Sequence, residues 1–125
     1  MIIGIGIDLV EINRIKELYS EAFIKKILSI KEIEYFNSIT NEKRKIEYLA
    51  GRFSAKESIF KAFKSSEEKN HNYKDISILK NKDGSPYVEF IKHDEIEYLI
   101  SITHTENYAS SMVILQQKKK EIVKL

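Results

Sequence analysis

A chain of 125 residues with 42% hydrophobic and 32% charged residues is long enough to bury a core, and it reads as one soluble globular domain over residues 1–125. It has no cysteine, which excludes disulfides, thiolate nucleophiles and zinc–thiolate sites and suits a reducing, cytoplasmic setting. A net charge of +2 is too small to point to nucleic acid, and no apolar run is long enough to span a bilayer.

The opening Met-Ile-Ile-Gly-Ile-Gly-Ile has no basic leader or small-residue cleavage site. Its β-branched run predicts a strand over 2–7 that ends near Asp8, with Gly4 and Gly6 permitting close backbone approach or a local bend. These glycines make no dinucleotide fingerprint, because Leu9 stands where a third glycine belongs. Helical periodicity follows over 11–19, and Arg14, Lys16, Lys25, Lys26 and Lys31 place a basic patch in this first helical region. Ser29-Ile-Lys-Glu32 is a capping-box sequence that predicts a helix to about residue 39. Asn41 caps a longer helix over 42–64, in which Leu49, Phe53, Phe60 and Phe63 suit burial and Gly51 leaves room for a neighbour or a ligand. Residues 65–72 are polar and aperiodic, and read as a loop.

Beyond the loop the pattern becomes β. Segments 76–79 and 87–90 flank Asn81-Lys-Asp83-Gly84-Ser-Pro86, a hairpin signal. Strands over 98–103 and 108–116 follow, joined by His104-Thr-Glu-Asn107, with Tyr108 reading as core. The order predicts an α+β domain: one strand, several helices, then a β-meander, with an antiparallel β-sheet packed against a long central helix.

Asp8 and Glu57 meet if that helix crosses the sheet. Two carboxylates without a cysteine partner suit a hard cation, above all Mg²⁺, which completes its shell with water and phosphate. A lysine beside it, Lys56 or Lys61, would make a phosphate-handling site. The bland alternative is that Glu57 and Lys61 form a surface i,i+4 pair.

Four ordered blocks sharpen this reading: Gly4-x-Gly6-x-Asp8-x-x-Glu11-x-x-Arg14, Arg52-Phe53-x-Ala55-Lys56-Glu57-x-x-x-Lys61-Ala62, Gly84-x-Pro86, and Ser101-Ile-Thr-His104-Thr105-x-x-Tyr108-Ala109. Together they span almost the whole chain. The pattern resembles the holo-[acyl-carrier-protein] synthase family, the small type of 4′-phosphopantetheinyl transferase. The resemblance implies transfer of phosphopantetheine from coenzyme A to a serine of apo-acyl carrier protein, serving fatty acid biosynthesis and releasing adenosine 3′,5′-bisphosphate. It implies Asp8 and Glu57 as Mg²⁺ ligands, and Lys61 as the residue that steadies phosphate charge during displacement. Arg52, Gly84, Pro86, His104 and Thr105 would lie around the nucleotide, and Arg14 with Lys25 and Lys26 would receive the acidic carrier protein. It also implies a homotrimer with sites between subunits. Glu57 and a metal-bound water both stand as candidates for accepting the serine proton.

The chain departs from that family in one stretch. Many relatives follow the Lys61 block with a glycine-rich segment, whereas this chain has Lys64-Ser-Ser-Glu-Glu-Lys-Asn-His-Asn72. Two other classes compete: a binding module that holds a carrier protein or nucleotide without turnover, and a small basic nucleic-acid-binding protein. Intact Asp8, Glu57 and Lys61 weigh against the first. The second lacks a basic stripe interleaved with aromatics.

Overall fold

The computed structural model describes residues 1–64 and 72–119. Strand β1 (Ile2–Glu11) leads into four helices, α1 (Ile12–Leu18), α2 (Glu21–Ile27), α3 (Ile30–Ser38) and α4 (Glu42–Ala62). A 3-10 turn at Tyr73–Asp75 then precedes β2 (Ile76–Lys80), β3 (Pro86–Phe90), β4 (Ile96–His104) and β5 (Tyr108–Gln117). The α+β class and the long helix are as the sequence predicts.

Local chemistry accounts for the boundaries. In α3 the Ser29 hydroxyl accepts from Glu32 N at 3.2 Å, and Glu32 Oε1 accepts from Ser29 N at 2.8 Å, so the capping box is complete. Asn41 Oδ1 accepts from Arg44 N at 3.0 Å and starts α4. Gly84 takes φ 88° in the β2–β3 turn, a conformation that side-chain-bearing residues rarely adopt.

Four expectations change. β1 runs on to Glu11, so Asp8 lies inside the strand rather than at its end. Helix α2 is an element of its own, capped by Ser20, whose hydroxyl accepts from Phe23 N at 3.1 Å. The basic patch is therefore divided among α1, α2 and α3. The last four strands do not form one meander: β2 pairs only with β3, while β5 lies between β1 and β4, all antiparallel. Tyr108 is exposed rather than core, since it pairs with Glu11 at the end of the sheet. The predicted 65–72 loop lies outside the described residues except Asn72, whose side chain accepts from Lys74 N at 3.3 Å.

Helix α4 covers one face of the β1-β5-β4 sheet. Its approach is so close that a Cβ on Gly6 would stand 1.9 Å from Ser58 O, and one on Gly4 2.2 Å from Ala62 O. Small residues on the helix complete the fit: Ser54 and Ser58 hydrogen-bond to Ser111 of β5 at 2.8 Å and 2.5 Å. Gly51 admits Ile102, which a Cβ would meet at 3.3 Å. Two hydrophobic clusters flank α4. One is built on Ile15, Ile27, Leu28 and Leu49, the other on Ile59, Ile76, Ile78 and Val113. The opposite face of the sheet is left open, with Ile5, Ile7, Leu9, Leu99 and Met112 exposed.

Candidate active site

Alternation along β1 turns Gly4, Gly6, Asp8 and Val10 toward α4. The close packing at the glycines brings Asp8 to Glu57, and both line one cavity of about 550 Å³ together with Leu9, Glu11, Arg14 and Phe53. The Asp8 backbone is pinned, because its carbonyl accepts from Ser110 Oγ at 2.9 Å and Ser54 Oγ at 3.3 Å.

The two carboxylates are held differently. Lys61 Nζ donates to Asp8 Oδ1 at 3.0 Å and to Ile7 O at 3.2 Å. The i,i+4 alternative is not what forms, because Lys61 turns to the strand and leaves Glu57. Asp8 Oδ2 is buried and has no hydrogen-bond partner among the described residues. A buried carboxylate oxygen left unpaired is costly, and a cation would satisfy it. Glu57 Oε1 accepts from the Tyr73 phenol. Burial, and then this contact, push the Tyr73 phenol above its ordinary range, so it remains a donor.

No group of three or more His, Cys, Asp or Glu side chains that could hold a metal occurs among the described residues. Asp8 and Glu57 supply two oxygen donors. They fit a cation that draws its remaining ligands from water and a phosphate substrate, which is the habit of Mg²⁺.

Lys56 stands apart from this cavity, contrary to its candidacy as a phosphate lysine. It is fully buried, pairs with Glu32 Oε1 at 2.5 Å, and donates to Ile27 O at 2.7 Å and Tyr73 O at 3.0 Å. Burial pulls its ammonium below the usual lysine range, with Glu32 opposing.

The remaining predicted residues gather elsewhere. Arg52 and His104 line a second hollow of about 170 Å³, with Arg44, Tyr48 and Lys80. The Arg52 guanidinium lies 4.3 Å from the Tyr48 ring centre, and its Nε donates to Ile78 O at 3.3 Å. His104 Nε2 stands 3.2 Å from Glu47 Oε2. Thr105 Oγ1 accepts from Asn107 N and Tyr108 N at 3.3 Å and 3.1 Å, which makes it a turn residue of the β4–β5 connection. Gly84 and Pro86 sit at the β2–β3 turn. Lys25 and Lys26 are exposed on α2, and only Arg14 of the basic patch reaches the Asp8 cavity. Within one chain the predicted site thus falls into a carboxylate cavity, a separate basic hollow and residues at two strand turns.

Sequence reading missed Tyr73. It is one aromatic at the end of a polar stretch, and its partner Glu57 lies 16 positions away on another element. No local pattern announces such a contact.

Known proteins resemble this chain over most of its length. Residues 4–113 match the 4′-phosphopantetheinyl transferase superfamily. The holo-[acyl-carrier-protein] synthase of Staphylococcus saprophyticus is 44% identical over 118 residues, which cover 93% of this chain and 99% of that one. Its counterpart in Acholeplasma laidlawii is 45% identical over 118 residues, covering 94% and 99%. The crystal structure of a holo-(acyl-carrier-protein) synthase from Bacillus anthracis, in complex with CoA (3′,5′-ADP), superposes with a TM-score of 0.84 at 32% identity, covering 94% of this chain and 99% of that one. From its ordered motifs, its fold and these relatives, the chain belongs to the holo-[acyl-carrier-protein] synthase family of 4′-phosphopantetheinyl transferases.

Proposed function

We propose that this protein transfers the 4′-phosphopantetheine group of coenzyme A to a serine of an apo-acyl carrier protein, using Mg²⁺ and supplying holo-carrier for fatty acid synthesis. The observation that carries this reading is the meeting of Asp8 and Glu57 in one cavity, with a buried Asp8 oxygen unpartnered. The family supplies the reaction. The whole chain acts as one domain, because α4 carries both hydrophobic clusters. A cysteine-free chain is suited to the cytoplasm, and among the described residues no helix is long and apolar enough to cross a membrane.

The reaction is a displacement at phosphorus. The serine oxygen of the carrier forms a bond to the pantetheine-bearing phosphorus as the bond to the departing adenosine 3′,5′-bisphosphate breaks. The nucleophile arrives with the partner, so the protein has to align two substrates and stabilise charge. Asp8 and Glu57 would hold Mg²⁺, which neutralises the pyrophosphate when bound. Lys61, already directed into this corner by Asp8, supplies a second positive charge beside the phosphates. The serine proton leaves toward Glu57 or a water beside it.

Coenzyme A needs its nucleotide and its pyrophosphate recognised at once. Arg52, Gly84, Pro86, His104 and Thr105 are proposed for the nucleotide. None of them lines the carboxylate cavity, which favours a homotrimer in which one subunit's basic hollow faces the next subunit's Asp8 and Glu57. The open apolar sheet face favours the same assembly. Arg14 at the cavity rim, with exposed Lys25 and Lys26, suits docking of an acidic carrier.

Incubation with apo-acyl carrier protein, coenzyme A and Mg²⁺, read by intact mass, tests the activity. A phosphopantetheine adduct that disappears with a chelator is expected. Several apo-carriers all left unmodified would overturn the proposal.

A further inference from the structure

Glu57 is held by a chain of contacts that the proposed reaction does not itself use. Among the described residues, the Tyr73 phenol is the one hydrogen-bond donor to its carboxylate. The Tyr73 ring is clamped, stacked on Phe53 with centroids 5.8 Å apart and edge-on to Phe60 at 5.4 Å. Its backbone is anchored as well, since the Tyr73 carbonyl accepts from Lys56 Nζ at 3.0 Å.

Lys56 is in turn fixed by Glu32 and by the Ile27 carbonyl. The Glu32 carboxylate also accepts from Ser29 N and Ile78 N, both at 2.8 Å. The start of α3, strand β2 and α4 are thus tied to one buried ion pair, which reaches the Glu57 carboxylate through Tyr73 as well as along α4, where Lys56 and Glu57 are neighbours. A glutamate has several rotatable bonds, so fixing one of its oxygens lowers the entropy lost when the other takes a ligand.

We infer that Tyr73 is a positioning residue for Glu57, holding Oε1 so that the second carboxylate oxygen is presented with Asp8, and that the buried Lys56–Glu32 pair sets Tyr73 for this task. The inference rests on the reading of Asp8 and Glu57 as a cation pair.

Tyr73→Phe separates the hydroxyl from the ring, because the packing against Phe53 and Phe60 is retained. Mn²⁺, a hard cation that accepts the same oxygen donors, can be titrated into the protein with coenzyme A present and read by electron paramagnetic resonance. Loss of an outer contact to a ligand should weaken Mn²⁺ binding by about tenfold in Tyr73→Phe. The variant should unfold at the wild-type temperature. In the wild type, Mn²⁺ should also perturb the near-ultraviolet tyrosine spectrum, and this signal should be lost in the variant. Glu32→Gln combined with Lys56→Met should weaken Mn²⁺ binding when Tyr73 is present, and should weaken it no further when added to Tyr73→Phe, because the pair acts by setting Tyr73.

Unchanged Mn²⁺ affinity and an unchanged tyrosine signal in Tyr73→Phe overturn the role of Tyr73. Full additivity overturns the role of the ion pair. Equal Mn²⁺ binding by wild type and Asp8→Ala, or none by the wild type, overturns the cation reading and the inference with it.

Discussion

Asp8 and Glu57 are both carboxylates, and the fold gives them opposite treatment. Asp8 is pinned through its backbone, paired on one oxygen by Lys61 and left bare on the other. Glu57 is fixed through its side chain by Tyr73. The neighbouring lysines divide just as sharply. Successive helical residues point about 100° apart, so Lys56 cannot share the face that carries Glu57, and it goes to the interior. Tyr48 offers a check on the packing beside the second hollow. Burial pushes its phenol up to about 12, with the nearby Arg52 charge only partly opposing. The folded state therefore binds the Tyr48 proton more tightly than the unfolded chain, in which a tyrosine ionises near pH 10. The stability this group contributes is intact below pH 10 and is lost as pH rises through about 12. Circular dichroism should show unfolding in that window, with a late rise of tyrosinate absorbance that accompanies it. Complete ionisation of all tyrosines near pH 10 in an intact fold would contradict the burial of Tyr48.

The strand–helix pair β1–α4 is the structural reason the site exists. Replacing Gly6 by Ala would set a methyl group 1.9 Å from Ser58 O, which is backbone and cannot rotate away. The elements must separate, at a cost of about 3 kcal/mol. Because Asp8 and Glu57 ride on these two elements, a small separation should also lower transfer by at least about tenfold. Urea unfolding and the carrier-modification assay measure the two effects, and a Gly6→Ala variant normal in both would show that the close approach is not needed. Much of this was legible from residues alone. Gly4 and Gly6 in a β-branched run signalled close approach, Ser29-x-x-Glu32 and Asn41 marked helix starts, and Gly84 marked the hairpin. Helix α2 was not read, because Ser20 has Phe23 rather than Glu or Gln three positions on, so no capping box marks its start. The division of the last strands into two sheets was not legible either, since it depends on which edges α4 and α3 leave free. Tyr73 and the Lys56–Glu32 pair depend on contacts between distant positions, which periodicity does not encode.

The whole molecule presents a contradiction that assembly resolves. A sheet face carrying Ile5, Ile7 and Leu9, each more than 60% exposed, is a poor surface for a protein that remains monomeric. The proposed trimer would cover that face and join the two half-sites. Ile7→Asp should therefore leave the chain folded, sediment as a monomer and lose transfer. A variant of normal size and activity would rule out this face as the interface. That Asp8 and Glu57 together form the site of a Mg²⁺-dependent phosphopantetheine transfer is our proposal. It is tested most directly by the intact mass of an apo-acyl carrier protein after incubation with coenzyme A, Mg²⁺ and wild type, Asp8→Ala or Glu57→Ala. A phosphopantetheine adduct is expected with the wild type and none with either variant at equal enzyme concentration. Near-normal modification by either variant would contradict it.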